Sequence, residues 1–165
     1  MDAADSSFMR TSTVHDELSI LVAALSDTAR TARAQKQLLE LIHGGGAATV
    51  LNLVIDRLLS SDGVRGTGAR CAVARLLEEA MKVAGKDGLP ALPRLVMLSG
   101  QALGDGSQTV RDSFVAALGS AARSVGSDAS GRDLHTMLLR PLLKLLDGRT
   151  APLQLGGAQA LCEVV

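Results

Sequence analysis

Apolar residues recur along this chain every three or four positions, which is the spacing of one face of an α-helix. The clearest such stripe comprises Val110, Phe114, Ala117, Leu118, Ala121 and Val125. Similar stretches predict helices near residues 14–25, 29–43, 47–60, 69–84, 89–103, 107–125 and 133–146, and from residue 151 onward. Glycine, aspartate and proline separate them, and no stretch has the pattern of a strand. The pattern therefore predicts an all-α fold.

The predicted helices form pairs that repeat along the chain. A constant shift of 43 residues, from Val110 to Leu153, superposes the first five residues of the stripe on Leu153, Gly157, Ala160, Leu161 and Val164. A period of about 40–47 residues built from helix pairs is typical of HEAT or armadillo repeats, which stack into a solenoid. We predict an α-solenoid of about four helical hairpins over residues 14–165, after a disordered leader over residues 1–13.

Two details of this prediction remain open. Pro141 lies inside the seventh helix, so the pattern fits either one kinked helix or two short ones. The eighth helix is still apolar at Val165, whereas a solenoid needs a polar terminal repeat for solubility. We therefore expect the domain to be the N-terminal part of a longer protein, and self-association through this helix is an open alternative.

The predicted turns inside the hairpins carry charged residues. An aspartate stands near the end of each first helix, at Asp27, Asp62, Asp105 and Asp147. Arginines follow in the turn or in the next helix, at Arg30, Arg33, Arg65, Arg111 and Arg149. In a structural interpretation, the aspartates cap the following helices and pair with arginines of neighbouring hairpins. In a functional one, stacked turns form a basic rim that meets an acidic partner. The two interpretations are compatible.

Composition narrows the possible partners. The chain has 17 basic and 17 acidic residues, so no overall field draws it to nucleic acid or to an anionic membrane. Aromatic residues make up 1% of the chain, which removes stacking platforms for single-stranded nucleic acid. No apolar run is long enough for a membrane span. Cys71 and Cys162 lie in apolar helical patterns, which predicts packed, reduced thiols in the cytoplasm.

Some segments resemble parts of catalytic motifs, but the other residues that such chemistry requires are absent from the sequence. His43-Gly44-Gly45-Gly46 resembles an esterase oxyanion loop, but there is no GxSxG nucleophile motif. The glycine-rich segment from Gly63 to Gly68 lacks the GK[ST] ending of a P-loop. The histidines have no metal-ligand spacing with each other or with the cysteines. We expect a binding module with no enzymatic activity, cofactor or metal.

Three motifs resemble a known family. Val110-Arg111-Asp112-Ser113-Phe114, followed by Gly119, is similar to a Val-Arg-Asp-Ala-Cys segment in the N-terminal domain of the TORTIFOLIA/SPIRAL microtubule-associated proteins of plants and algae. Leu139-Arg140-Pro141-Leu142-Leu143 resembles that domain's Leu-Lys-Pro-Leu-Phe. The segment from Leu153 to Ala158 resembles its Val-Gln-Ser-Gly-Ala-Ala. The order and spacing of the three motifs together carry the resemblance.

The resemblance implies a TOG-like HEAT array that binds tubulin or microtubules and stabilises them, in the cytoplasm on the cytoskeleton. The Arg-bearing turns are then the expected contacts with acidic tubulin. The alternative is a general HEAT or armadillo scaffold that binds another protein through its concave helix face. One asparagine, Asn52, and no tryptophan are present, which disfavours the asparagine-ladder peptide groove of importin-like armadillo proteins.

Overall fold

The computed structural model describes residues 16–27, 29–44, 47–60, 64, 66–126 and 134–165. Every regular element in these ranges is helical, which confirms the all-α prediction. The α-helices are α1 (16–24), α2 (Thr31–Gly44), α3 (Ala47–Ser60), α4 (Thr67–Ala84), α5 (Leu92–Leu103), α6 (Gln108–Gly126), α7 (Arg140–Leu146) and α8 (Ala151–Val164). The predicted leader over residues 1–13 lies outside the described residues.

The predicted fifth helix divides into two elements. Gly85 ends α4 with φ of +52°, a left-handed conformation that favours glycine, and a 3₁₀ helix (Gly85–Ala91) follows. Gly88 packs so closely under α4 that a Cβ there would lie 2.9 Å from Met81 Cε. Pro93 then occupies the first turn of α5, where a missing amide hydrogen costs little.

Pro141 distorts its helix without breaking the helical path. A π-helical turn (His135–Leu139) precedes α7, and residue 134 is also helical. Proline lacks an amide hydrogen, and its ring crowds the carbonyl group four residues earlier. The wider π turn accommodates both effects. The structure therefore favours one continuous helix over two separate ones.

The helices pack in two layers. In one layer α2 contacts α4, α4 contacts α6, and α6 contacts α8. In the other layer α3 contacts α5, and α5 contacts α7. Contacts between α3 and α4, between α5 and α6, and between α7 and α8 join the layers. Because α6 has neighbours on several sides, every residue of its predicted apolar stripe is buried.

The core consists mainly of aliphatic side chains, with Met81 and Phe114 among them, and the buried polar residues in the described ranges are Ser99 and Ser120. Small residues bring the helices close together, since a Cβ on Gly119 in α6 would lie 3.1 Å from Glu163 Cβ in α8. Met81 is fully buried, whereas Met97, which also lies in an apolar helical pattern, is 62% exposed. In the described part of the chain, no helix could cross a membrane.

Candidate partner-binding edge

Three hydrogen bonds define the turn between α1 and α2. The Leu25 amide donates to the Val22 carbonyl oxygen (3.1 Å), and the Thr31 amide donates to Asp27 O (2.9 Å). The Thr31 hydroxyl reaches back and donates to Leu25 O (3.1 Å). The third bond fixes the start of α2 against the turn.

The same three bonds recur between α5 and α6. The Asp105 amide donates to Ala102 O (3.0 Å), and the Arg111 amide donates to Ser107 O (3.2 Å). Arg111 Nη1 reaches back and donates to Asp105 O (2.6 Å). An arginine thus makes the contact that a threonine makes in the first turn.

The turn between α7 and α8 repeats them again. The Gly148 amide donates to Leu145 O (3.0 Å), and the Gln154 amide donates to Thr150 O (3.1 Å). Gln154 Nε2 donates to Gly148 O (2.9 Å). Between α3 and α4, where residues 61–63 and 65 lie outside the described ranges, the Arg70 amide donates to Gly66 O (3.1 Å). Three residues therefore share one turn-closing position, Thr31, Arg111 and Gln154, and Arg70 occupies the corresponding place at the start of α4.

The turn hydrogen bonds show that the aspartates do not occupy equivalent positions, so the prediction that they do is wrong. Asp27 stands four residues before its turn-closing residue, Asp105 six and Asp147 seven. Asp27 caps α2 as predicted, because its Oδ1 accepts the Ala29 amide (3.0 Å) and its carbonyl oxygen accepts the Thr31 amide. Asp105 does not cap α6, because its Oδ1 accepts the amide of Ser107 (2.8 Å), which precedes the helix, in an Asx turn. Asp62 lies outside the described residues.

Contacts bring successive turns together in one row. Val64, before α4, lines a cavity of about 330 Å³ with Ser26 of the first turn. It also lines a neighbouring cavity of about 200 Å³ with Asp105 of the third. A Cβ on Gly104 would lie 3.9 Å from the Leu153 side chain at the start of α8. We call this row the turn edge; it is formed by the turns before α2, α6 and α8 and, between the first two of these, by Val64 and the start of α4.

The most buried ion pair on the turn edge was not predicted from the sequence. Arg70 Nη1 of α4 forms an ion pair with Asp105 Oδ2, whose side chain is only 9% exposed. Arg111 holds the carbonyl oxygen of the same residue. Asp105 therefore links two hairpins, as the structural interpretation predicted, but its ionic partner is Arg70. The signal available in the sequence was the 41-residue spacing between Arg70 and Arg111, which is close to the predicted repeat length.

The five predicted contact arginines have different environments. Arg30 pairs with Asp27 (3.3 Å) while remaining 76% exposed. Exposed Arg33 joins Arg30 around a groove between α1 and α2. Arg111 is half-buried, and its Nε lacks a hydrogen-bond partner within the described ranges. Arg149 is exposed in the turn before α8, and Arg65 lies outside the described residues.

A second surface, on the layer of α4, α6 and α8, forms a groove of about 510 Å³. The carboxylates of Glu78, Asp112 and Glu163 line it, with the guanidinium of Arg123 standing 3.8 Å from Glu163. Cys162 also lines the groove and is exposed, so the prediction that both thiols are packed is wrong for this one. The groove is predominantly acidic, unlike the turn edge.

Lys82 provides the remaining ionic contact near this groove. Its ammonium nitrogen lies 2.6 Å from Glu79 and 3.0 Å from Glu78, as their helical spacing predicts. Hydrogen bonds to Glu79 and then to Glu78 raise the pKa of Lys82 above its usual value. Glu78 is therefore partly engaged on α4.

No protein-family model matches this chain, and no curated protein matches it either.

Proposed function

We propose that the chain is an α-solenoid of HEAT-like hairpins that binds tubulin or microtubules through its turn edge. Three observations support the solenoid. Alternate helices contact one another in chain order, the same hydrogen bonds recur in three turns, and the turn-closing position recurs about every 40 residues. This period is the one typical of HEAT and armadillo repeats.

The row of adjacent turns is the observation that carries the proposed function. A solenoid binds along an extended surface formed by equivalent parts of successive repeats. The turn edge is such a surface, and the resemblance to TORTIFOLIA/SPIRAL proteins suggests microtubules as its partner. On this proposal the protein acts in the cytoplasm on the cytoskeleton, where it stabilises or organises microtubules.

Two exposed arginines on the turn edge, Arg30 beside Asp27 and Arg149 beside the exposed Asp147, are the groups that favour an acidic partner. Arg149 is exposed, and Arg30 keeps most of its side chain in solvent although it pairs with Asp27. These two guanidinium groups are the available contacts for tubulin carboxylates, with Arg33 nearby on α2. Arg70 and Arg111 are held by Asp105, so their role is to shape the turn.

Co-sedimentation with polymerised microtubules tests this proposal. We expect salt-sensitive pelleting of the wild-type chain, because exposed charges are screened as ionic strength rises. The double variant Arg30→Glu with Arg149→Glu should bind about tenfold more weakly, a change of about 1.4 kcal/mol. Helicity should remain unchanged, since both side chains are exposed.

The matched control reverses two exposed lysines away from the turn edge. Lys36 lies on α2, and Lys86 lies in the 3₁₀ helix at the other end of α5. Lys36→Glu with Lys86→Glu changes the net charge by the same amount and should leave binding unchanged. If both double variants weakened microtubule binding equally, the turn edge would not be the contact surface. Absence of pelleting by the wild-type chain at low salt would contradict microtubule binding.

The acidic groove on α4, α6 and α8 favours a second candidate function, a scaffold that binds a basic segment of another protein. Its carboxylates would attract lysines and arginines, and the apolar side chains of Val115 and Ala158 would contact the segment's aliphatic parts. The two candidates use different surfaces. If the chain is such a scaffold, Asp112→Lys should weaken its binding to the basic segment. If the chain binds microtubules through the turn edge, the same substitution should leave microtubule binding unchanged.

A further inference from the structure

The cavity between α1 and α3 combines one guanidinium group with small polar and apolar side chains. Its volume is about 330 Å³. Val22 and Ser26 line it from the first hairpin, Arg57 from α3, and Val64 from the segment before α4. Among the described residues that line this cavity, Arg57 is the only charged one. We call this space the Arg57 cavity.

Arg57 has no ionic partner in the described part of the chain. The carboxylate next to it in sequence, on Asp56, pairs with Arg94 at 2.6 Å. The carboxylate of the first turn, on Asp27, pairs with Arg30. Arg57 Nε is buried and makes no hydrogen bond within the described ranges. The last turn of α3 favours a positive charge, but it leaves this buried donor unpaired, so an anion bound to the guanidinium would be stabilising.

The adjoining cavity indicates which anion fits such a place. Val64 lines both cavities. In the adjoining one, of about 200 Å³, the guanidinium of Arg70 pairs with the carboxylate of Asp105. There the chain itself supplies the carboxylate, from the next hairpin. In the Arg57 cavity a carboxylate with the same role would have to come from a ligand.

The side chains of the Arg57 cavity favour the carboxylate of a glutamate over a phosphate group. One guanidinium balances a single negative charge, and the carboxylate of Asp27, next to Ser26 in sequence, would repel a dianion. The guanidinium can donate two parallel hydrogen bonds to a carboxylate. The Ser26 hydroxyl is exposed and can donate another. Val22 and Val64 offer apolar surface to the methylene groups of a glutamate, which a phosphate lacks.

We propose that the Arg57 cavity binds a glutamate side chain from an acidic segment of a partner protein. The carboxylate accepts hydrogen bonds from the Arg57 guanidinium and the Ser26 hydroxyl, and the methylene groups contact Val22 and Val64. A protein as the source of the glutamate rests on the proposed function, in which the turn edge meets an acidic partner. Ser26 and Val64 belong to the turn edge, so a second carboxylate of the same segment can contact Arg30, which is 76% exposed.

Titration of the ¹⁵N-labelled chain with a hexaglutamate peptide, followed by NMR, tests this site. We expect the Arg57 Nε–H signal and the Ser26 amide signal to shift together and to saturate. Arg57→Gln should raise the dissociation constant of the peptide, measured at the Ser26 amide, at least about tenfold, because it removes the charge-assisted hydrogen bonds to the carboxylate.

A second variant and a matched control separate the cavity from net charge. Ala23 is exposed on α1 and lines the Arg57 cavity, so Ala23→Leu narrows the cavity without changing charge and should also weaken peptide binding. Arg140 is exposed on α7, outside the cavity, so Arg140→Gln changes net charge as Arg57→Gln does and should leave the dissociation constant unchanged. Circular dichroism checks that all three variants remain helical.

Free anions test the source of the carboxylate. Acetate and inorganic phosphate should each shift the Arg57 signal less than the peptide does at equal concentration, because neither offers a second carboxylate to Arg30. Tighter binding of phosphate than of the peptide would overturn the assignment to glutamate. Absence of any peptide-induced shift at Arg57, or equal weakening by Arg57→Gln and Arg140→Gln, would overturn the site itself.

Microtubule pelleting distinguishes a failure of this site from a failure of the proposed function. If the wild-type chain pellets with microtubules but the peptide does not bind in the Arg57 cavity, the cavity is not a carboxylate site and microtubule binding stands. If the peptide binds there and the wild-type chain does not pellet, the carboxylate site stands and the acidic partner is not the microtubule.

Discussion

Replacing Asp105 with alanine is expected to lower the free energy of unfolding by about 2–3 kcal/mol. The substitution removes the ion pair with Arg70 and the hydrogen bond from the Ser107 amide. Because the Asp105 side chain is only 9% exposed, its loss leaves the guanidinium of Arg70 without its partner in a partly buried setting. Urea unfolding followed by circular dichroism measures the change.

The control is a second ion pair between hairpins that water can reach. Arg94 Nη1 of α5 lies 2.6 Å from Asp56 Oδ2 of α3, and the two side chains are 47% and 45% exposed. Asp56→Ala should cost less than about 1 kcal/mol, because exposed pairs gain little from their attraction. If the two substitutions had equal effects, the special role of Asp105 in joining the second and third turns would be wrong.

The helical pattern was predictable because each helix buries one stripe of aliphatic residues. The bounds of α3 match the prediction, and the predicted stripe of α6 is buried along its whole length. The division before α5 was not predictable from periodicity. It depends on Gly88 fitting beneath Met81, a contact between residues in adjacent elements rather than a property of either sequence.

The turns were predicted less completely than the helices. Sequence reasoning paired the aspartates with arginines of neighbouring hairpins, whereas Asp27 pairs with Arg30 of its own turn. Asp105 instead pairs with Arg70, which lies 35 residues earlier in the chain. Only the packing of α4 against α6 brings these side chains together. Aligning the turn-closing positions, rather than the aspartates, would have predicted that contact.

Apolar character alone did not identify the core. Met97 and Cys162 lie in apolar helical patterns, yet both are exposed. A helix in a stacked array has apolar positions that face its own hairpin and others that face a neighbouring one. The sequence shows both as hydrophobic, and only the packing shows which of them are covered.

Gly156→Ala is expected to destabilise the protein by about 1–3 kcal/mol, although alanine normally favours helices. Gly156 lies inside α8 and packs against the end of α5. A Cβ at this position would lie 2.6 Å from Leu103 O and 3.0 Å from Leu103 Cβ. Backbone cannot move aside as a flexible side chain does, so α8 must shift away from α5. Urea unfolding gives the loss, and faster hydrogen exchange of α8 amides locates it.

Gly68→Ala is a control for which we expect the opposite change in the free energy of unfolding. Gly68 is also helical, in α4, but a Cβ there would have no neighbour within 4 Å. Alanine should therefore stabilise the protein by up to about 1 kcal/mol, because it restricts the unfolded chain more than glycine does. The same chemical change then raises stability at one helical glycine and lowers it at the other. Stabilisation by Gly156→Ala would contradict the close packing of α8 on Leu103.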